Sequence, residues 1–174
     1  TFETLIDSTY GNLLNWGYDL ETNQRGQSYY DLCIAIANNN SSKIIIGGIE
    51  CHRTANGGYK WEKCTNTNVN NSIHVDMHDL VYNPLNNELY LCNDGGIYYS
   101  KDDGASWTDL SSGLSITQYY RFGMSATNPN LIVCGAQDNG TSMFIDGKWY
   151  MTYGGDGMDC AIDPNDDNKI YYSI

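Results

Sequence analysis

Three residues at alternate positions, His74, Asp76 and His78, form the densest set of side chains able to ligate a metal or move a proton. On a strand, alternate residues share one face. Two imidazoles and a carboxylate on one face make a donor set suited to zinc or a similar metal. The same groups would serve equally well as hydrogen-bonding partners that hold neighbouring loops. A second set is acidic. Asp138 and Asp156 lie in the Gly-rich stretches Gly135-Ala136-Gln137-Asp138-Asn139-Gly140 and Gly154-Gly155-Asp156-Gly157, with Asp94 and Asp159 in similar surroundings. Two carboxylates about 5–10 Å apart can cleave a glycosidic bond by acid/base or nucleophilic action. Asp-Gly and Asn-Gly turns need the same residues for capping alone. The candidates are therefore His74, Asp76 and His78 for a metal, Asp138, Asp156 and Asp159 for catalysis, and His78, Asp79, Asp138 and Asp156 for ligand binding.

Other chemistries find less support. Holding a substrate carboxylate as sialidases do takes three arginines in bidentate geometry. The arginines here are Arg25, Arg53 and Arg121, and Arg53 stands just before a turn, on the third strand of its repeat. No Gly-x-Ser-x-Gly elbow is present. The Gly-Gly pairs follow strands into hairpins and so do not read as phosphate cradles. No cofactor is expected.

These residues must be positioned by short strands. The 174-residue chain holds 15 Tyr, 18 Gly and only 3 Pro, a composition suited to strands joined by tight turns. The formal charge of −12 argues against nucleic-acid or anionic-membrane partners, since neither phosphate neutralisation nor polybasic attraction is available. No apolar run approaches the roughly 20 residues of a membrane span. No signal peptide is legible, and Thr1 in place of an initiator Met reads as a processed or truncated start. The six cysteines show no CxxC pair. Cys33, Cys92, Cys134 and Cys160 lie in apolar runs and are expected to pack as small core residues. Cys51 and Cys64 flank one hairpin, where a cross-hairpin disulfide is conceivable.

Trp16, Trp61, Trp107 and Trp149 recur at spacings of 45, 46 and 42 residues. A period near 40–45 is what four-stranded propeller blades produce. The fullest copy of the repeat is Ser100-Lys101-Asp102-Asp103-Gly104-Ala105-Ser106-Trp107. Asp102 can accept hydrogen bonds from loop amides, and Gly104 supplies a positive φ. Thr54-Ala55-Asn56-Gly57-Gly58-Tyr59-Lys60-Trp61 is a near match with Asn for Asp. A degenerate copy ends at Trp16, and Asp146-Gly147-Lys148-Trp149 is a remnant. The expected units are the end of a blade over 1–20, blades over 28–65, 73–110 and 116–152, and the start of a blade over 154–174. Strands are expected at Tyr30–Ala37, at Ile44–Gly48 with both faces buried, and at Asp79–Tyr82. The fold class is all-β, a propeller segment of about four blades, expected to belong to a larger propeller; closure as a four-bladed ring is the alternative.

The spacing Ser-x-Asp-x-Gly-x-Ser-Trp resembles the Asp-box of the bacterial neuraminidase repeat. From about residue 26 onward the chain is similar to secreted bacterial Asp-box, sortilin-like propeller proteins, many of them labelled glycosyl hydrolases. The likeness rests on Tyr30-Asp31-Leu32 with Gly47-Gly48, on His74 through Asp79, on Asn93-Asp94-Gly95-Gly96, and on Gly135 through Thr141 with Gly154 through Gly157. It implies structural loop roles for Ser100, Asp102, Gly104, Ser106 and Trp107, and for Thr54, Asn56, Gly58 and Trp61. It also implies export to the cell surface or medium as a module of a longer protein. The function expected is protein or carbohydrate interaction, with partners in the remaining blades, a glycan, or a surface or secretion protein. The alternative is part of a xyloglucanase-like glycoside hydrolase using channel-facing carboxylates. Propellers host both.

Overall fold

The computed structural model describes residues 13–14, 27–64 and 73–174. The blade end expected over 1–20 with its degenerate loop at Trp16, Arg25, and the Asn/Thr linker over 65–72 lie outside the described residues, Leu13 and Leu14 excepted. The described residues form strands and no helix, so no helix among them is long and apolar enough to cross a membrane. The chain divides into two compact units, Thr1–Ser112 and Gly113–Ile174.

The first unit holds two antiparallel meanders. β1 (Cys33–Ala37), β2 (Asn40–Gly47), β3 (Cys51–Thr54) and β4 (Glu62–Lys63) pair in that order. So do β5 (Met77–Tyr82), β6 (Leu89–Asn93), β7 (Gly96–Ser100) and β8 (Thr108–Asp109). Alternation builds the core between them. Cys33, Ala35 and Ala37 of β1 are buried, and pack with Ile45, Cys51, Met77, Leu80, Leu89, Leu91 and Trp107 in one cluster. The second unit holds a third meander, β9 (Arg121–Met124), β10 (Ile132–Ala136), β11 (Gly140–Ile145) and β12 (Lys148–Tyr153), and a hairpin, β13 (Cys160–Asp163) with β14 (Asp166–Tyr172). Leu131, Val133 and Ile162 form its core, backed by Met143 and Ile170. Each meander has the topology of a propeller blade, and the chain is an all-β, partial propeller segment.

Several local expectations shift. β1 starts at Cys33 rather than Tyr30, because the amides of Tyr30 and Asp31 both bond the Gln27 carbonyl in a turn. β2 is not buried on both faces. Ile45 is buried while Ile44 and Ile46 are half-exposed, since only one face of this sheet lies against the second meander. Its run of three isoleucines reflects strand propensity as much as burial. β5 begins two residues earlier than expected, at Met77. Cys51 and Cys64 are both buried free thiols rather than a disulfide, with the Cys64 amide donating to the Cys51 carbonyl at 2.9 Å. Burial pushes the Cys51 thiol well above its usual range and keeps it protonated.

Two eight-residue loops share one hydrogen-bond plan. In the loop joining β7 to β8, the Gly104 amide donates to Ser100 Oγ at 2.8 Å and the Ser106 amide to Asp102 Oδ1 at 2.8 Å. Ser100 Oγ donates to Asp102 Oδ1 at 2.8 Å and Ser106 Oγ to Asp102 Oδ2 at 2.6 Å. In the loop joining β3 to β4, Thr54 Oγ1 accepts from the Gly58 amide at 3.1 Å and Asn56 Oδ1 from the Lys60 amide at 2.9 Å. Asn56 thus performs the acceptor role of Asp102. Gly104 has φ +82°, and Trp107 lies against it. The Trp107 ring is buried and donates Nε1 to the Cys64 carbonyl at 3.2 Å, tying the second meander to the end of the first. Lys43 to Asp103 (2.6 Å) adds to this seam, and within the second meander Tyr82 Oη donates to Asp103 Oδ1 at 3.1 Å. Trp149 is different. Its Asp146-Gly147 turn has φ +52° and +76°, the two-residue hairpin geometry. Its ring is half in solvent, stacked on Tyr119 at 5.8 Å.

Trp107→Ala is expected to destabilise the first unit by about 3–5 kcal/mol, and Trp61→Ala, whose ring is only half-buried, by clearly less. Equal losses in urea melts followed by circular dichroism would contradict the seam role. Gly135→Ala tests the second unit. A Cβ there would lie 2.1 Å from the Met158 carbonyl oxygen, a main-chain atom that cannot swing away. A loss of at least ~2 kcal/mol is expected, and an unchanged thermal melt would show that the approach is looser.

Candidate functional site

The chemistry-bearing side chains of the first unit gather where β1 and β5 begin. Three segments supply them: the turn 27–31, the lead-in 73–78 and the turn 93–95 between β6 and β7. The alternation expected of His74, Asp76 and His78 does not occur, because the strand starts only at Met77. Asp76 has φ +63°, a left-handed conformation that Asp and Asn tolerate better than most residues. Its amide donates to the Ile49 carbonyl at 2.9 Å and the Met77 amide to the Gly48 carbonyl at 2.8 Å. His78 is the extra residue of a β-bulge, since Met77 pairs with Asn93 and Asp79 with Cys92. A bulge re-aims the side chain it carries. Here it sends His78 between two carboxylates, with Nε2 at 2.5 Å from Asp94 Oδ1 and Nδ1 at 3.6 Å from Asp31 Oδ1.

Asp31 is the buried centre of this group, with 1% of its surface exposed. Gln27 Nε2 donates to Asp31 Oδ2 at 3.1 Å and to Asp76 Oδ1 at 3.0 Å, bridging the two acids. Asp31 Oδ1 has no hydrogen-bond partner among the described residues. Burial pushes the Asp31 carboxyl above its ordinary range, opposed by the neighbouring His78. Burial, followed by the charges of Asp31 and Asp94, pushes Asp76 up to about 6. Tyr30 sets its ring edge-on to His78 at 5.5 Å. Tyr29 and Tyr30 are 87% and 73% exposed, an open aromatic surface beside the acids.

The remaining candidates fall elsewhere. His74 is half-buried; its carbonyl accepts from Asn93 Nδ2 at 2.7 Å, and it packs against the 93–95 turn. His74, Asp76 and His78 do not bring three ligand atoms together. Asp79 is exposed and accepts the Leu80 amide at 2.9 Å. In the second unit, Asp138 has φ +61° and its amide donates to Asp156 Oδ1 at 3.1 Å. Asp138 and Asp156 are thus brought together through the main chain of a turn. Asp159 has Arg121 Nε at 3.4 Å, and its amide donates to Ser173 Oγ. Sequence reasoning missed Asp31 as a site residue. The signal available was a lone acid inside Tyr30-Asp31-Leu32-Cys33-Ile34, where a charge in an apolar run needs a reason.

No protein-family model and no curated protein sequence matches the chain. Solved structures resemble it weakly. An ancestral GH74 enzyme aligns at 15% identity and TM-score 0.41 over 78% of this chain and 22% of its own. The GH74 xyloglucanase from Xanthomonas campestris aligns at 13% identity and TM-score 0.37 over 76% of this chain and 25% of its own. YCF48 from Cyanidioschyzon merolae aligns at 16% identity and TM-score 0.37 over 68% of this chain and 36% of its own. The chain therefore spans about a fifth to a third of the length of these proteins. Likeness at this level transfers no residue roles.

A raised carboxylate favours the fold only while protonated. Asp76 therefore contributes stability that is fully present below its unfolded pKa of about 3.9 and is lost as pH rises through about 6. In chelator-treated buffer, the stability of wild type minus that of Asp76→Asn is expected to fall between pH 4 and pH 6.5 and then level off. Asn keeps the positive φ, so a flat difference in urea titrations would overturn the assignment.

Proposed function

We propose that the chain is a module of Asp-box propeller type, secreted or displayed at the cell surface as part of a larger protein, that binds a carbohydrate at the start of β1 and β5. The observation that carries this reading is the exposed Tyr29 and Tyr30 pair beside Asp31, His78 and Asp94. Aromatic faces offer apolar contact to the C–H face of a sugar, and convergent carboxylates and an imidazole accept or donate to its hydroxyls. The shared hydrogen-bond plan of the Ser100–Trp107 and Thr54–Trp61 loops supports the Asp-box assignment. Leu32, Ile34 and Ile36 project from the outer face of β1 at 58%, 63% and 53% exposure, which supports further blades of the same protein as a packing partner.

The arrangement favours binding over hydrolysis. His78 stands between Asp31 and Asp94, and Asp156 is engaged in holding the Asp138 turn. Soluble xyloglucan and cellulose oligosaccharides, presented on a glycan array and in a reducing-sugar assay, test the reading. Binding without release of reducing ends is expected, weakened about tenfold or more in Tyr30→Ala, by the roughly 1–3 kcal/mol worth of a stacked apolar side chain. Release of reducing ends would replace it with the hydrolase reading, and an array without any bound glycan would sink the carbohydrate partner.

A further inference from the structure

We propose that Cys51 and Cys64 are joined by a disulfide when the chain folds in the presence of an oxidant, making a covalent clasp between β3 and β4. Both thiols are free in this structure, and the backbone already holds them in position. His52 pairs with Lys63 and Arg53 with Glu62, so the next step of the same register sets Cys51 opposite Cys64. The Cys64 amide donates to the Cys51 carbonyl at 2.9 Å, the bond that a directly opposed pair makes. Opposed residues of this kind have Cα atoms about 5.5 Å apart, within the roughly 4.4–6.8 Å that a disulfide spans. Both side chains enter the same buried cluster, so they leave the sheet on one face. Burial, and then a hydrogen bond with the Cys64 thiol, push the Cys51 thiol up.

Register also excludes the other cysteines described in this unit. Cys33 pairs with Gly47, and Gly47 with Cys51, which puts Cys33 two strands away from Cys51. Two strand spacings amount to about 9–10 Å, beyond the roughly 7 Å at which bridging fails. Cys92 follows Leu91 on β6, where Leu89 and Leu91 point into the core and Cys92 is half-exposed on the opposite face. Cys51 and Cys64 are therefore the two that can meet.

The step is thiol–disulfide exchange with a low-molecular-weight disulfide such as oxidised glutathione. One protein thiolate attacks that disulfide, forming a mixed disulfide and releasing one glutathione. The second thiolate attacks the protein sulfur of the mixed disulfide and releases the other. Two protein thiols are oxidised, the reagent's S–S bond is reduced to two thiols, and the two protons end on them. Cys51 and Cys64 are 0% and 8% exposed, so the exchange belongs to the folding chain. The β3–β4 hairpin closes locally, before the second meander covers it. Once covered, the bond is shielded from reductant, since buried sulfur is inert. The clasp acts where the ladder is weakest. β4 has two residues, and the Cys64 carbonyl accepts Trp107 Nε1 at 3.2 Å, so a bond to Cys51 fixes that acceptor against β3. Export would place the chain where disulfides persist, but the clasp depends on register and not on what the tyrosines bind.

The test is refolding of the full chain in oxidised and reduced glutathione, beside a sample kept in reductant. Free thiols are then alkylated under denaturing conditions, and the peptides are mapped by mass spectrometry without reduction. A peptide joined through Cys51 and Cys64 is expected in the oxidised sample, with Cys33 and Cys92 alkylated. The oxidised chain should melt about 5–15 °C above the reduced one. Cys64→Ala should lose both the joined peptide and the difference between the two melts. If that variant does not fold, the wild-type map decides alone. Alkylation of both Cys51 and Cys64, a crosslink from either to another cysteine, or an oxidised form that melts no higher would each overturn the proposal. Purified protein and a chemical oxidant keep the outcome separate from export and from glycan binding, so either proposal can fail without the other.

Discussion

The indole of Trp107 is the contact on which the first unit depends. Its ring is 7% exposed, rests on Gly104 and donates Nε1 to the carbonyl of Cys64. The β4 and β8 strands of the two meanders are only two residues long, too short to hold anything by ladder bonds. A buried indole with a satisfied N–H replaces that missing pairing with area and one directed bond. The loop that precedes it exists to deliver it. Ser100 and Asp102 tie down the amides of Gly104 and Ser106, and the positive φ of Gly104 leaves room for the ring above.

With one end of the meander pinned in this way, the other end is free to carry polar groups. The lead-ins to β1 and β5 have few ladder constraints, and it is there that the chain buries Asp31 and Asp76 and inserts the bulge at His78. A propeller segment with strong outer seams and short inner lead-ins separates stability from chemistry along each blade. Substitutions in one region should leave the other largely intact, because few residues belong to both.

The loops and most strands were legible because their signals are local. A Ser-x-Asp-x-Gly-x-Ser-Trp string names its own hydrogen bonds, and Asn56 could be recognised as an equivalent acceptor. Runs such as Leu89-Tyr90-Leu91-Cys92 announce strands by β-propensity and alternation. The site was half legible. His78, Asp76 and Asp94 stood out by type, but their placing depends on pairing between distant segments. Whether His78 faces out or in turns on one extra residue opposite Asn93 and Cys92, and a shift of one residue reverses a strand's faces. Asp31 was passed over because nothing in its neighbours reveals that Gln27 and Asp76 will converge on it. Trp149 shows the opposite failure, keeping the period while losing burial, since its two-residue turn cannot fold the ring inward.

The same residue type does opposite work in the two regions, and the difference lies in donors. Burial pushes Asp102 up, yet the hydrogen bonds of Ser106, Ser100 and a loop amide hold its carboxyl below the ordinary range. Asp109 is lowered by the hydroxyl and amide of Ser111. These acids stabilise the fold as anions, and that contribution is present at neutral pH and lost as pH falls through their depressed values. Asp31 and Asp76 are raised because they are buried among acids, with Gln27 as their shared donor. A turn acid is satisfied by its own loop. A turn acid with its own donors is held as an anion, an acid buried among acids is not, and that asymmetry in donors, more than the presence of acids, separates the lead-ins from the turns around them.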